Sequence, residues 1–233
     1  MDGDIKEILK ACGTIKFGDF TLASGKKSRY YIDVRKAVTK PKTLRIICDH
    51  IIEKMKNHVI EPDYIACVEL GGVPIGVLVA DRTGLPLIIV RKDAKDHGTK
   101  GRLMGFEKGK DPIGTALLLE DVTTTGGSVA SAIKALKDEG LHVDTIITVV
   151  DRQEGAEETV SGMGITLIPL TTAIDILKDD PITNQLKDID AIKDRDKEIL
   201  LTSNKENYED NKKRYEELRE IKRRENSKKR YED

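Results

Sequence analysis

The sequence predicts an α/β domain built on a central, mostly parallel sheet. Three observations predict it. Apolar runs of four or five residues recur without polar alternation, as strands buried on both faces require. Stripes of helical period separate them, the pattern of strand–helix–strand units. A composition break near Asp179, Asp180 and Pro181 leaves before it a segment of single-domain size.

The elements follow in order. Tyr64, Ile65, Ala66, Cys67 and Val68 form the first predicted strand, followed by Gly71, Gly72 and a helix over 75–80. Leu87, Ile88, Ile89 and Val90 form the second, and Ala116, Leu117, Leu118 and Leu119 the third. A helix is expected over 129–139, with Ser128 as its cap and Gly140 as its stop. The fourth strand covers 146–150, and 166–170 is a candidate fifth. In such sheets ligands bind beyond the carboxyl ends of the strands, so the residues after each run matter most.

Composition narrows the function classes. The chain of 233 residues has 40 Lys and Arg against 41 Asp and Glu, a net charge of −1. It lacks the broad basic field of a nucleic-acid binder, and with no Trp and three Phe it has few stacking platforms. No apolar run approaches the length of a membrane span. The opening Met1, Asp2, Gly3, Asp4 is not a secretory signal, and Cys12, Cys48 and Cys67 have no metal-ligand spacing. A cytoplasmic protein with reduced thiols is expected, acting on small molecules, with neither nucleic acid nor membrane as partner. From Lys187 to Asp233, 29 of 47 residues are charged, with only a sparse stripe (Leu186, Ile189, Ile192, Ile199, Leu200). Two units are therefore expected: a domain over 1–179, and a charged helical extension over 180–233. That extension reads either as a solvated helix with a frayed end or as a partner-binding coil.

The strongest chemistry follows the third strand: Glu120, Asp121, Val122, Thr123, Thr124, Thr125, Gly126, Gly127 and Ser128. Glycines let the backbone curl until several N–H groups share one focus, and the next helix adds the partial positive charge of its N-terminus. That focus suits a phosphate, and the hydroxyls donate to it. The two carboxylates can accept hydrogen bonds from sugar hydroxyls, so the pattern describes a ribose 5-phosphate. No Lys follows Gly127, which excludes a Walker loop. Between Val90 and Thr115 lies a glycine-studded stretch without a periodic pattern, carrying Arg91, Lys92, Lys95, His97, Lys100 and Arg102. Such a loop in a compact domain is either functional or disordered.

The nonapeptide resembles the phosphoribosyl pyrophosphate (PRPP) signature of type I phosphoribosyltransferases. Residues 20–33 look like the amino-terminal hood of the orotate phosphoribosyltransferases, 91–98 like their mobile catalytic loop, and Asp151, Arg152, Gln153, Glu154 like their orotate-contacting segment. The resemblance covers 1 to about 179. It implies a Rossmann-like type I phosphoribosyltransferase fold with a small hood (about 1–40), transfer of phosphoribose from PRPP to N1 of orotate in pyrimidine synthesis, and Mg²⁺ held mainly through PRPP. It also implies a homodimer with shared sites. Lys95 and His97 are then the catalytic pair. Arg91, Lys92, Lys95, His97 and residues 120–128 bind PRPP, and Thr124 and Arg152 bind orotate. A guanidinium fork suits the orotate carboxylate; the plainer reading of Arg152 is a surface salt bridge with Glu154 or Glu157. Some family members carry Lys where this chain has Ala23 and Gly71, so those roles do not transfer. The alternatives are a type I enzyme for another base and a PRPP-sensing regulator of the same fold. A bifunctional decarboxylase is excluded by size.

Overall fold

A computed structural model describes residues 4–21, 27–92 and 101–178, apart from the side chains of 19 and 27–29. All belong to the first of two compact units, Met1–Lys178. The second, Asp179–Asp233, and with it the expected helical extension, lies outside the described residues.

The chain opens with α1 (Ile5–Ala11), whose N-terminus Asp4 caps by accepting from Lys6 N–H at 3.0 Å. An antiparallel hairpin of β1 (Ile15–Thr21) and β2 (Lys27–Ile32) follows, then the short α2 (Arg35–Val38) and the long α3 (Pro41–Asn57). Proline at the first position of α3 loses no hydrogen bond, because that N–H is unpaired in any helix. Thr43, Ile47, Ile51 and Met55 recur at helical spacing and form its buried face.

The core units are β3 (Tyr64–Val68), α4 (Val73–Thr83), β4 (Leu87–Val90), β5 (Leu103–Met104) and β6 (Ala116–Thr123). Then come α5 (Gly127–Asp138), β7 (Thr145–Asp151), α6 (Ala156–Ser161), β8 (Thr166–Thr172) and α7 (Ala173–Leu177). The sheet order is β5-β4-β3-β6-β7-β8, parallel except for β5. The expected central, mostly parallel sheet flanked by helices is present. The chain runs outward from β3 to β4 and then returns to place β6 on the other side of β3. That reversal opens a crevice between the carboxyl ends of β3 and β6.

The uninterrupted apolar runs have a direct cause. Ile65, Cys67, Leu117, Leu119, Ile147 and Val149 face one layer, where they pack with α1, α3, α4 and Ile32 and Val34 of the amino-terminal region. Ala66, Leu118 and Ile146 face the other, packing with Val129, Ile133 and Leu136 of α5 and Val160 of α6. Both faces are dry, so successive residues must all be apolar; each fully buried Ile or Leu stabilises the fold by about 1.5–3 kcal/mol.

Three expectations need correction. The third strand does not end at Leu119: β6 continues through Glu120, Asp121 and Val122 to Thr123, because β7 pairs with it as far as Thr123 opposite Asp151. The carboxylates are therefore strand residues rather than residues of the following turn. Ser128 does not cap α5. Gly126 is the cap residue at φ 84°, no side chain closes that end, and Ser128 lies in the first turn. The stretch 91–114 is not wholly irregular, since Leu103 and Met104 pair with Val90 and Ile89 as an antiparallel edge.

Candidate active site

The crevice is built from four strand ends. After β3, the turn Glu69, Leu70, Gly71, Gly72 contains a cis peptide bond between Glu69 and Leu70. Glu69 N–H donates to Val90 O at 3.1 Å, and its carboxylate accepts from Lys92 N–H at 2.6 Å. The turn is thus tied to the chain leaving β4. Arg91, half-buried, and Lys92, exposed, stand there beside it. Lys95 and His97 lie outside the described residues. Arg102 is anchored: it donates to Arg91 O at 3.1 Å and Ser131 O at 3.1 Å, stapling the loop's return to α5. It joins loop to scaffold.

From β6 come the carboxylates. Glu120 is 6% exposed and accepts from Asp121 N–H at 3.1 Å. Burial, with the hydrogen bond and charge of Asp121 beside it, pushes Glu120 well above the usual carboxylate range. Asp121 is half-buried, packs against Gly71, and its charge reaches Arg35, which Asp33 grips at 2.7 Å.

Beyond the strand, Thr123 Oγ1 donates to Asp151 Oδ1 at 2.9 Å, and Thr123 O accepts from Arg152 N–H at 2.9 Å. Val122 and Thr124 are half-buried, while Thr125, Gly127 and Ser128 are exposed around the uncapped start of α5. Gly126 is required on two counts. Its φ of 84° is costly for an L side chain, and a methyl there would sit 2.9 Å from Thr159 Cβ. Thr159 in turn donates to Thr125 O at 2.8 Å, so α6 braces the loop from behind. The result is a turn with open N–H groups at a helix N-terminus, a geometry that binds phosphate.

From β7 comes Arg152. It is 5% exposed, its guanidinium 5.1 Å from the Tyr30 ring centroid. Glu154 Oε1 forms an ion pair with Nη2 at 2.8 Å, and neither Nε nor Nη2, both buried, has a hydrogen-bond partner. The predicted pairing with Glu154 exists, yet the arginine is not on the surface. A buried guanidinium that is ion-paired on Nη2 but has no partner on Nε keeps donor capacity for a planar carboxylate.

Sequence reasoning missed Tyr30, Thr159 and the anchoring role of Asp151, which also accepts from Gln153 N–H at 3.1 Å. Asp151 ends a strand, so the rule that found Glu120 and Asp121 applied to it as well. Tyr30 lies in the hood segment 20–33, but nothing local pairs it with Arg152, and nothing local marks Thr159; both reach the site through tertiary packing.

Fold and site together define an α/β protein with a phosphate-ready turn at the reversal point of a parallel sheet. Residues 35–166 match the phosphoribosyl transferase domain. The orotate phosphoribosyltransferase of Methanosarcina mazei is 51% identical over 170 residues, covering 73% of this chain and 88% of that one. That of Methanocaldococcus jannaschii is 47% identical over 165 residues, covering 71% and 90%. The crystal structure of the Aeropyrum pernix orotate phosphoribosyltransferase superposes with a TM-score of 0.67 at 33% identity, over 75% of this chain and 96% of that one. The chain belongs to the orotate phosphoribosyltransferases, phosphoribosyl-transferring enzymes of the type I family.

Proposed function

We propose that this enzyme transfers the 5-phosphoribosyl group of PRPP to N1 of orotate, giving orotidine 5′-monophosphate and diphosphate, with the residues above in the following roles. The N–H groups and hydroxyls of Thr125, Gly126, Gly127 and Ser128 receive the 5-phosphate. Glu120 and Asp121 take the ribose hydroxyls. Arg91, Lys92, Lys95 and His97 receive the diphosphate, and Arg152 takes the orotate carboxylate, with Thr124 between base and ribose. What carries this reading is one juxtaposition: a phosphate-ready helix start, a carboxylate pair and a buried arginine with unfilled donors, all at the ends of the neighbouring strands β6 and β7.

The chemistry follows from charge. As the anomeric C–O bond breaks, positive charge grows on the ribose and the diphosphate leaves with the bonding electrons. The N1–C1 bond forms on the opposite face. Cations beside the diphosphate stabilise its developing charge, and exclusion of water strengthens them. Magnesium enters this reading on the oxygens of PRPP itself. Among the described residues no three His, Cys, Asp or Glu side chains converge on one point. Carried by PRPP, magnesium would help to spread the charge of the leaving group.

A homodimer in which Lys95 and His97 serve the neighbouring chain's site, working in the cytoplasm, completes the proposal. Among the described residues no helix is long and apolar enough to cross a membrane. The direct test is orotate consumption with PRPP and Mg²⁺, run beside a panel of purine and pyrimidine bases. Turnover of orotate alone supports the reading; a preference for another base refutes it. Asp121→Asn should then impair use of PRPP far more than it impairs folding.

A further inference from the structure

Gly71 is part of the PRPP site although it has no side chain to offer. A methyl built on Gly71 would fall 2.5 Å from Asp121 Oδ1 and closer still to Oδ2 and Cγ. Real side-chain carbons essentially never approach below 3.0 Å, so one partner must move. The identity of the partner that yields follows from how each is held.

The turn is pinned. Gly72 N–H donates to Val68 O at 3.2 Å, Gly76 N–H to Gly72 O at 2.8 Å, and Glu69 is bonded through both its N–H and its carboxylate to the chain leaving β4. A methyl at Gly72 would itself meet Val68 O at 2.9 Å and Leu119 O at 3.0 Å, so the turn already rests on β3 and β6 and has nowhere to retreat. The backbone of Asp121 is equally fixed, between two residues paired with β7: Glu120 opposite Thr148 and Val122 opposite Val150. The Asp121 carboxylate, the end of a side chain, is the partner that can rotate. Gly71 also lacks a left-handed φ, so its backbone accepts alanine, and the three atoms nearest the added methyl all belong to Asp121.

We infer that Gly71 is a positioning residue for PRPP: the space left by its missing side chain is where the Asp121 carboxylate sits, and any side chain there turns Asp121 away from the ribose hydroxyls. The inference rests on the assignment of Asp121 to those hydroxyls. It also accounts for Gly71 where some relatives place a lysine: with Asp121 in this position, a lysine would cost a ribose contact while adding a cation.

The test measures kcat/KM for PRPP and for orotate, with thermal unfolding, in Gly71→Ala, Gly71→Lys, Asp121→Asn, Asp121→Ala and the Gly71→Ala/Asp121→Ala pair. Gly71→Ala should lower kcat/KM for PRPP by about tenfold to a hundredfold, the loss of one or two hydrogen bonds to a charged group. KM for orotate should stay within about threefold, and Gly71→Lys should be no better than Gly71→Ala. In the Asp121→Ala background, Gly71→Ala should add nothing, because the group it displaces is gone. If Gly71→Ala lowers the unfolding midpoint, the double variant should restore it. Penalties that add across the pair, a midpoint the double variant leaves unrestored, or normal PRPP kinetics in Gly71→Ala beside an impaired Asp121→Asn would overturn this inference alone. A harmless Asp121→Asn would overturn the site assignment and the inference with it.

Discussion

Replacing Arg152 by lysine separates charge from geometry at the base-binding end of the crevice. Arg152 is 5% exposed, has its guanidinium 5.1 Å from the Tyr30 ring centroid, and keeps Nε and Nη2 without hydrogen-bond partners. Lysine retains a cation but presents a point charge, stacks poorly, and loses its proton readily when desolvated. The loss of a forked, desolvated pairing with the orotate carboxylate is about 2–5 kcal/mol. The lost contact with Tyr30 adds about 1–2 kcal/mol on the folding side. At about 1.4 kcal/mol per factor of ten, kcat/KM for orotate should fall by roughly thirtyfold to several thousandfold. Orotate consumption is followed at varied orotate with saturating PRPP, and then at varied PRPP with saturating orotate. KM for PRPP should move by less than about threefold, because the phosphate and ribose contacts lie on β6 and its turn. Equal losses for both substrates would refute the assignment and make Arg152 a structural arginine.

Other expectations can be checked as readily. Glu120 has its folded-state pKa raised above its ordinary 4.5, so its contribution to stability is complete below that value and is lost as pH rises through the folded pKa. Glu120→Gln should therefore flatten the decline of the unfolding midpoint with rising pH, as measured by thermal melts; an unchanged pH slope would count against a protonated Glu120. Burial pushes Cys48 and Cys67 up to about 12, so iodoacetamide at pH 8 should modify the half-buried Cys12 first and reach the other two only on unfolding. Mass mapping of the labelled peptides decides this, and early labelling of Cys67 would contradict the packing of β3. Finally, chains carrying Lys95→Ala and Asp121→Asn, each nearly inactive alone, should regain about a quarter of wild-type sites when allowed to re-pair. A mixture that stays inactive after confirmed subunit exchange would rule out shared sites.

The sequence alone located the five parallel strands of the sheet and pointed to the ligand class, but not the hairpin β1–β2 or the edge strand β5. Runs such as 64–68 and 87–90 are strands at those very bounds, because a sheet buried on both faces leaves no room for polar residues. The residues at the strand ends carried the phosphate and ribose reading, since glycines, hydroxyls and paired acids have few other reasons to coincide there. Strand ends and helix caps were less legible. Whether β6 stops at Leu119 or runs to Thr123 depends on how far β7 pairs with it, and Gly126 rather than Ser128 begins α5 because the chain turns left-handed there. Only the tertiary structure decided that Tyr30 lies over Arg152, that Thr159 braces Thr125, and that the Asp121 carboxylate fills the space at Gly71. These contacts join residues up to 122 positions apart in the chain. Local pattern records which residues are apolar, charged or small, whereas packing fixes which of them share a space.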